Sequence, residues 1–168
     1  MNCRPGSPSG TLALKEYGHA LSRDPHYAQK AARISALTRD LSELLPEWVP
    51  ILKSRMRPAQ AGRIAFHAPC TLQHGQGLRG GVETQLRALG FDIAPAGDES
   101  HLCCGSAGAY SVLQPQLATQ LRDRKLRNLV ALKPRVILSA NVGCIQHLQS
   151  GTGLAVKHWI EILDEALA

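Results

Sequence analysis

From Arg63 onward, short aliphatic runs alternate with segments of helical period, and three of those runs lead into a turn that carries cysteine. The run Arg63–His67 (RIAFH) ends at Ala68-Pro69-Cys70. A helix is predicted over Gly80–Leu89, closed by Gly90, a residue suited to the left-handed backbone after a helix. Phe91–Ala94 is the second strand, and a polar loop follows it to Cys103-Cys104-Gly105. Pro115–Leu132 reads as a long helix packed through Leu117, Leu121, Leu129 and Leu132 and stopped by Pro134. Arg135–Ala140 (RVILSA) is a third strand leading to Gly143-Cys144. Gly153–His158 is a fourth strand, and Trp159–Leu167 a final helix. Strands and helices in this order specify an α/β fold: a largely parallel four-stranded sheet flanked by helices, with an N-terminal helical extension. Cysteines that each follow a strand are thereby expected along one sheet edge, beyond the carboxyl ends, where such folds place ligands.

The remainder of the chain is less patterned. Residues 1–11, rich in Pro, Gly and Ser, read as a disordered or unrelated start with no apolar signal-peptide core, which favours the reducing cytosol. A helix is predicted from Asp24-Pro25, with Asp as its cap, and Ile34, Leu37, Leu41 and Leu44 share the helical spacing expected of a core-facing stripe. Pro46–Pro58, with Pro50 between, is the linker candidate. The chain thus divides into 1–11, a helical extension with linker at 12–58, and a cysteine-bearing domain at 59–168. Aromatic residues make up 4% of the chain, so the core must be aliphatic. No apolar run is long enough to span a bilayer. The net charge of +6 is dispersed and lacks aromatic stacking partners, which argues against nucleic acid as a partner.

Cys70, Cys103, Cys104 and Cys144 are the candidate functional residues. Thiolates gathered from separate loops suit a soft metal centre, an iron–sulfur cluster before others. Consecutive residues of a strand point to opposite faces, so Cys103 and Cys104 can share a site only if the backbone turns, which Gly105 permits. Helices starting just after Cys104 and Cys144 are expected to aim amide dipoles at the centre, with Gly143 letting amides approach. Three other readings stand beside this one: small buried core residues, a tetrahedral zinc site completed by His147, and a redox-active or catalytic thiol with His67 near Cys70. His147, three residues past Cys144, is a ligand or a donor beside the ligands. His67 and His74 flank Cys70 and can hydrogen-bond to sulfur. His101 is close only in sequence. His19, His26 and His158 read as structural or exposed, and Cys3 as irrelevant.

The pattern Cys70…Cys103-Cys104-Gly105…Cys144-x-x-His147 resembles the cysteine-rich CCG domain of heterodisulfide-reductase-like and glycolate-oxidase-like iron–sulfur proteins. HAPCTLQHGQ (67–76), SHLCCGSAGAYS (100–111), SANVGCIQHL (139–148) and VKHWIEIL (156–163) look like the C-terminal half of the glycolate oxidase iron–sulfur subunit family, and KEYGHAL with DPHYAQKA (15–31) like the stretch joining its two repeats. The resemblance implies a 4Fe-4S cluster bound by Cys70, Cys103, Cys104 and Cys144 with His147 nearby, where the wider pattern has a last cysteine. It implies electron transfer within a complex that oxidises glycolate to glyoxylate. FAD is expected on partner subunits only, the flavin-bearing glycolate oxidase subunits, with cytoplasmic location and peripheral membrane association through the complex. It also implies that 12–58 is the tail of a lost first repeat and that the chain is a fragment, dimer-prone or partner-dependent through exposed apolar surface. A non-redox docking module with free thiols or zinc is the alternative.

Overall fold

A computed structural model describes residues 10–58, 60–94 and 97–167 of the chain. Among these, four strands form one parallel sheet: β1 (Ile64–His67), β2 (Ile93–Ala94), β3 (Val136–Ser139) and β4 (Ala155–His158), in the order β2-β1-β3-β4. Their side chains alternate between the faces, and both faces are covered, as parallel sheets require. Ile64, Phe66, Val136 and Leu138 pack against Leu45 of α3 (Leu41–Arg55), Val82 and Leu86 of α4 (Gly81–Ala88), and Trp159, Ile162 and Leu163 of α8 (Trp159–Leu167). Ala65, Ile137 and Val156 pack on the opposite face against Leu126 and Leu129 of α6 (Pro115–Val130) and Leu148 of α7 (Val142–Gln149). Each such aliphatic side chain contributes about 1.5–3 kcal/mol through burial. Cys104 and Cys144 belong to this second cluster.

The strand order also fixes where a ligand can sit. The chain passes from β1 to β2 on one side, then returns over β1 to lay β3 on its other side. Beyond the carboxyl ends of β1 and β3, the two connections diverge and leave a crevice between them.

Several expectations change in the N-terminal part. Residues 10 and 11 begin α1 (Gly10–Ala20), while the rest of the 1–11 stretch, with Cys3, lies outside the described residues. The helix expected from Asp24 starts at α2 (Ala28–Leu37); Asp24 Oδ1 accepts from the amides of His26 and Tyr27 and caps the turn before it. Ile34, Leu37 and Leu41 are exposed, because the helix breaks at Thr38–Asp40 and the phase of the apolar stripe is reset there. Leu45, not Leu44, then enters the core. The proposed linker Pro46–Pro58 is mostly helix, since α3 runs through Pro46 and Pro50. The two prolines stand four residues apart, and both are on the exposed side of the helix. The remaining long helix, α6, begins at Pro115 as expected and ends at Val130.

Candidate metal centre

The site is built where β1, the CCG loop and α7 meet. β1 carries His67 on the same face as Ala65, two residues earlier, and so toward α6 and α7. The β3 register opposes His67 to Ser139, whose hydroxyl donates to the His67 carbonyl at 3.0 Å. Cys70 follows and opens a π-helical turn over Thr71–Gly75, a form that frequently marks functional sites. Buried Gln73 then ties this turn to the next loop, donating to the carbonyls of Ala68 (3.0 Å) and Ser100 (3.4 Å).

The loop before Cys103 is gripped by α6. Arg124 and Asn128 bind the Glu99 carboxylate, and Lys125 Nζ donates to the carbonyls of Glu99 (2.6 Å) and Ser100 (3.3 Å). The turn itself requires glycine: Gly105 has φ of +93°, and a Cβ there would meet the Ala118 carbonyl oxygen at 2.3 Å. His147 backs the same turn. Its Nε2 lies 3.2 Å from the Ala118 oxygen, and since a carbonyl only accepts, that nitrogen carries the proton. His147 therefore locks α7 to α6 behind the CCG turn.

The sequence expectation of helices after both cysteine groups holds only in altered form. Cys144 lies inside the first turn of α7, and the helix after Cys104 is the short α5 (Tyr110–Leu113), separated by an irregular segment. Asn141 caps α7 by accepting from the amides of Gly143 (2.9 Å) and Cys144 (3.4 Å), which removes them as donors to the centre. The amide aimed at sulfur belongs instead to Gly105, 3.3 Å from Cys103 Sγ.

Four thiols form a contiguous row. Cys104 lies between Cys103 and Cys144 within hydrogen-bond reach of both, and with burial added its pKa is pushed far up. Cys103 is driven well below the ordinary thiol value by hydrogen bonds from Cys104 and Cys70, against burial, with help from the Gly105 and Ala107 amides. Cys144 is lowered by Cys104 first, against burial, and then by His67.

The structure therefore brings Cys70, Cys103, Cys104 and Cys144 together and puts His147 behind them. His74 and His101 are exposed, and the former's Nε2 lies 3.3 Å from the His101 carbonyl. His67 is far more intimate with the centre than its distance in sequence suggested: a ring nitrogen, Cys104 Sγ and Cys144 Sγ all lie within 4.8 Å of one another. Lys125 was missed altogether. It is 3% exposed and sits in the field of the Cys70, Cys104 and Cys103 thiols. Burial pushes its pKa down, and those sulfurs with Glu99 push it back up. The α6 periodicity held the signal, since Lys125 lies seven residues from buried Ala118 and beside Leu126.

The donor set is soft, backbone amides of Gly105 and Ala107 are aimed at Cys103, and a buried imidazole adjoins it. These features fit an iron–sulfur centre. The profile of the CCG cysteine-rich domain family matches residues 64–149, the span from β1 to the end of α7. The chain is 50% identical over 154 residues to the glycolate oxidase iron-sulfur subunit of Escherichia coli K12, covering 92% of this chain and 37% of that protein. It is 30% identical over 170 residues to lactate utilization protein A of Geobacillus thermodenitrificans, covering 94% and 68%. The same coverage and 30% identity hold for the protein of that name in Geobacillus kaustophilus.

Proposed function

The chain belongs to the CCG cysteine-rich domain family, and from that premise we propose that it is an iron–sulfur electron-transfer subunit of a complex oxidising glycolate to glyoxylate. The row of Cys70, Cys103, Cys104 and Cys144 at the β1/β3 crevice is the single observation that carries this reading. Those four residues hold a 4Fe-4S cluster, with His147 fixing the CCG turn beside it. Bound there, the cluster supplies reversible one-electron exchange.

The chain's own residues do the rest. Cys104 must release its proton to ligate, because metals bind thiolate. The Gly105 amide donates to Cys103 sulfur and tunes the centre. Lys125 places a cation against the anionic sulfurs. FAD-bearing subunits are the electron source. Association with a membrane acceptor is peripheral and made through the complex, as no helix among the described residues is long and apolar enough to cross a membrane. Ile34, Leu37, Leu41 and Ile51, exposed on α2 and α3, support dependence on partner subunits.

Anaerobic loading with iron and sulfide tests the reading. The wild-type protein is expected to turn brown, with a broad absorption near about 400 nm that a Cys103→Ser, Cys104→Ser variant loses. A colourless protein without iron overturns it. One observation favours a second reading, a zinc-holding docking module: the three donors within 4.8 Å also suit a single tetrahedral ion. Stoichiometric zinc in a protein that refuses iron would identify it.

A further inference from the structure

We propose that His67 is itself a ligand of the metal centre, supplying a nitrogen donor alongside Cys104 and Cys144; this deepens the metal-centre reading and rests on it. His67 is 2% exposed, and neither ring nitrogen has a nitrogen or oxygen partner; the group its ring engages is the Cys144 sulfur. Leaving a buried polar group unpaired is costly, so a native chain retains one where something else engages it. Water does not fill the role. A cavity of about 220 Å³ touches His67 on one side, yet both ring nitrogens are fully buried and closed to it. One of them faces sulfur: a ring nitrogen, Cys104 Sγ and Cys144 Sγ lie within 4.8 Å of one another.

The placement is also rigid. His67 ends a strand paired along its length with β3, and Ser139 anchors its carbonyl, so the ring is held on a sheet instead of a loop. The other histidine near the centre is engaged elsewhere, since His147 donates Nε2–H to Ala118. Imidazole ligates both iron–sulfur centres and zinc, and replacing a thiolate with neutral nitrogen raises an iron–sulfur potential. With His67 included, five donors line the centre, and on a four-cornered cluster one cysteine becomes a hydrogen-bonding neighbour.

The test uses the full chain carrying ¹⁵N-labelled histidine, loaded anaerobically with iron and sulfide, reduced, and measured by pulsed spin resonance. A histidine nitrogen coupling is expected, unchanged in the exposed-residue control His26→Ala and lost in His67→Ala. Loaded protein with no nitrogen coupling, or a coupling lost with His147 instead, overturns the proposal while leaving the iron–sulfur reading intact. The wild-type measurement needs no substitution and so survives a variant that fails to fold. If the wild type takes no iron, the iron–sulfur reading falls, and cobalt(II) binding to the metal-free protein decides on His67. His67→Ala should then weaken cobalt affinity at least about tenfold, with His26→Ala near wild type. Equal cobalt affinity in wild type and His67→Ala would sink the proposal.

Discussion

Lys125 is a cation in a place where cations are expensive. It lies on the buried side of α6, donates to two carbonyls, and faces the cysteine row. A buried charge persists where opposite charge or metal chemistry offsets it. Here the offset comes from the thiolates, so removing the ammonium should destabilise the more negative, reduced form of whatever the thiolates hold. In iron-loaded Lys125→Met, the reduction potential is expected to fall by roughly 60 mV, one tenfold change for a one-electron couple. A spectroelectrochemical titration reads this directly, and an unmoved potential would mean that the charge is not felt at the centre. His67 and Lys125 were both legible in principle: the first shares parity with Ala65 in a strand, the second lies on the stripe of Ala118 and Leu129. Lys125 escapes a sequence reading because a polar residue within an apolar stripe looks like an exposed exception, whereas His67 is already placed beside Cys70.

Among the elements, α3 departs furthest from the sequence reading. Strands and the later helices could be read because period-two and period-3.6 patterns were each bounded by Gly or Pro. In α3 the prolines misled, since their effect depends on which side of the helix they occupy, and a lone sequence does not say. The decisive local signal was Asp40 with Glu43 three residues on, a reciprocal cap in which Asp40 accepts from Ser42 and Glu43 accepts from the Asp40 amide at 2.6 Å. Asp40 also accepts from Gln76 at 3.0 Å, which ties α3 to the turn behind Cys70. Burial would raise its pKa, but the bonds from the Ser42 amide, Gln76 and the Ser42 hydroxyl, with the Lys15 charge, outweigh it and hold the carboxyl below the ordinary 3.8. A depressed folded pKa means stability that is fully present above 3.8 and lost as pH falls through the folded value. Asp40→Ala should therefore cost about 1 kcal/mol in urea denaturation at neutral pH. That gap between variant and wild type should shrink progressively below pH 3.8. A gap that stays constant into strong acid would show that the carboxylate charge contributes nothing.

For the molecule as a whole, the core sets the order of importance. The α1–α2 hairpin buries only Ala31 among its described residues, and it meets the rest through the Lys15–Glu43 ion pair and Leu12 against Gly75. Leu45, by contrast, is completely buried in the cluster that joins α3, α4, α8 and the sheet. Leu45→Ala should cost about 2–5 kcal/mol. Deleting residues 10–37 should cost less, with a melting point lowered by less than about 8 °C. Calorimetry on the two variants ranks them, and the reverse order would make the hairpin part of the core. The pairing of β1 with β3 has a consequence in time. His67 and Ser139 meet across 72 positions of chain, so during synthesis Cys103 and Cys104 emerge with no sheet edge to gather the other donors. A metal arriving then finds Cys70, Cys103 and Cys104 without Cys144, which emerges last. The full donor set therefore exists only once α7 has emerged and β3 has paired with β1.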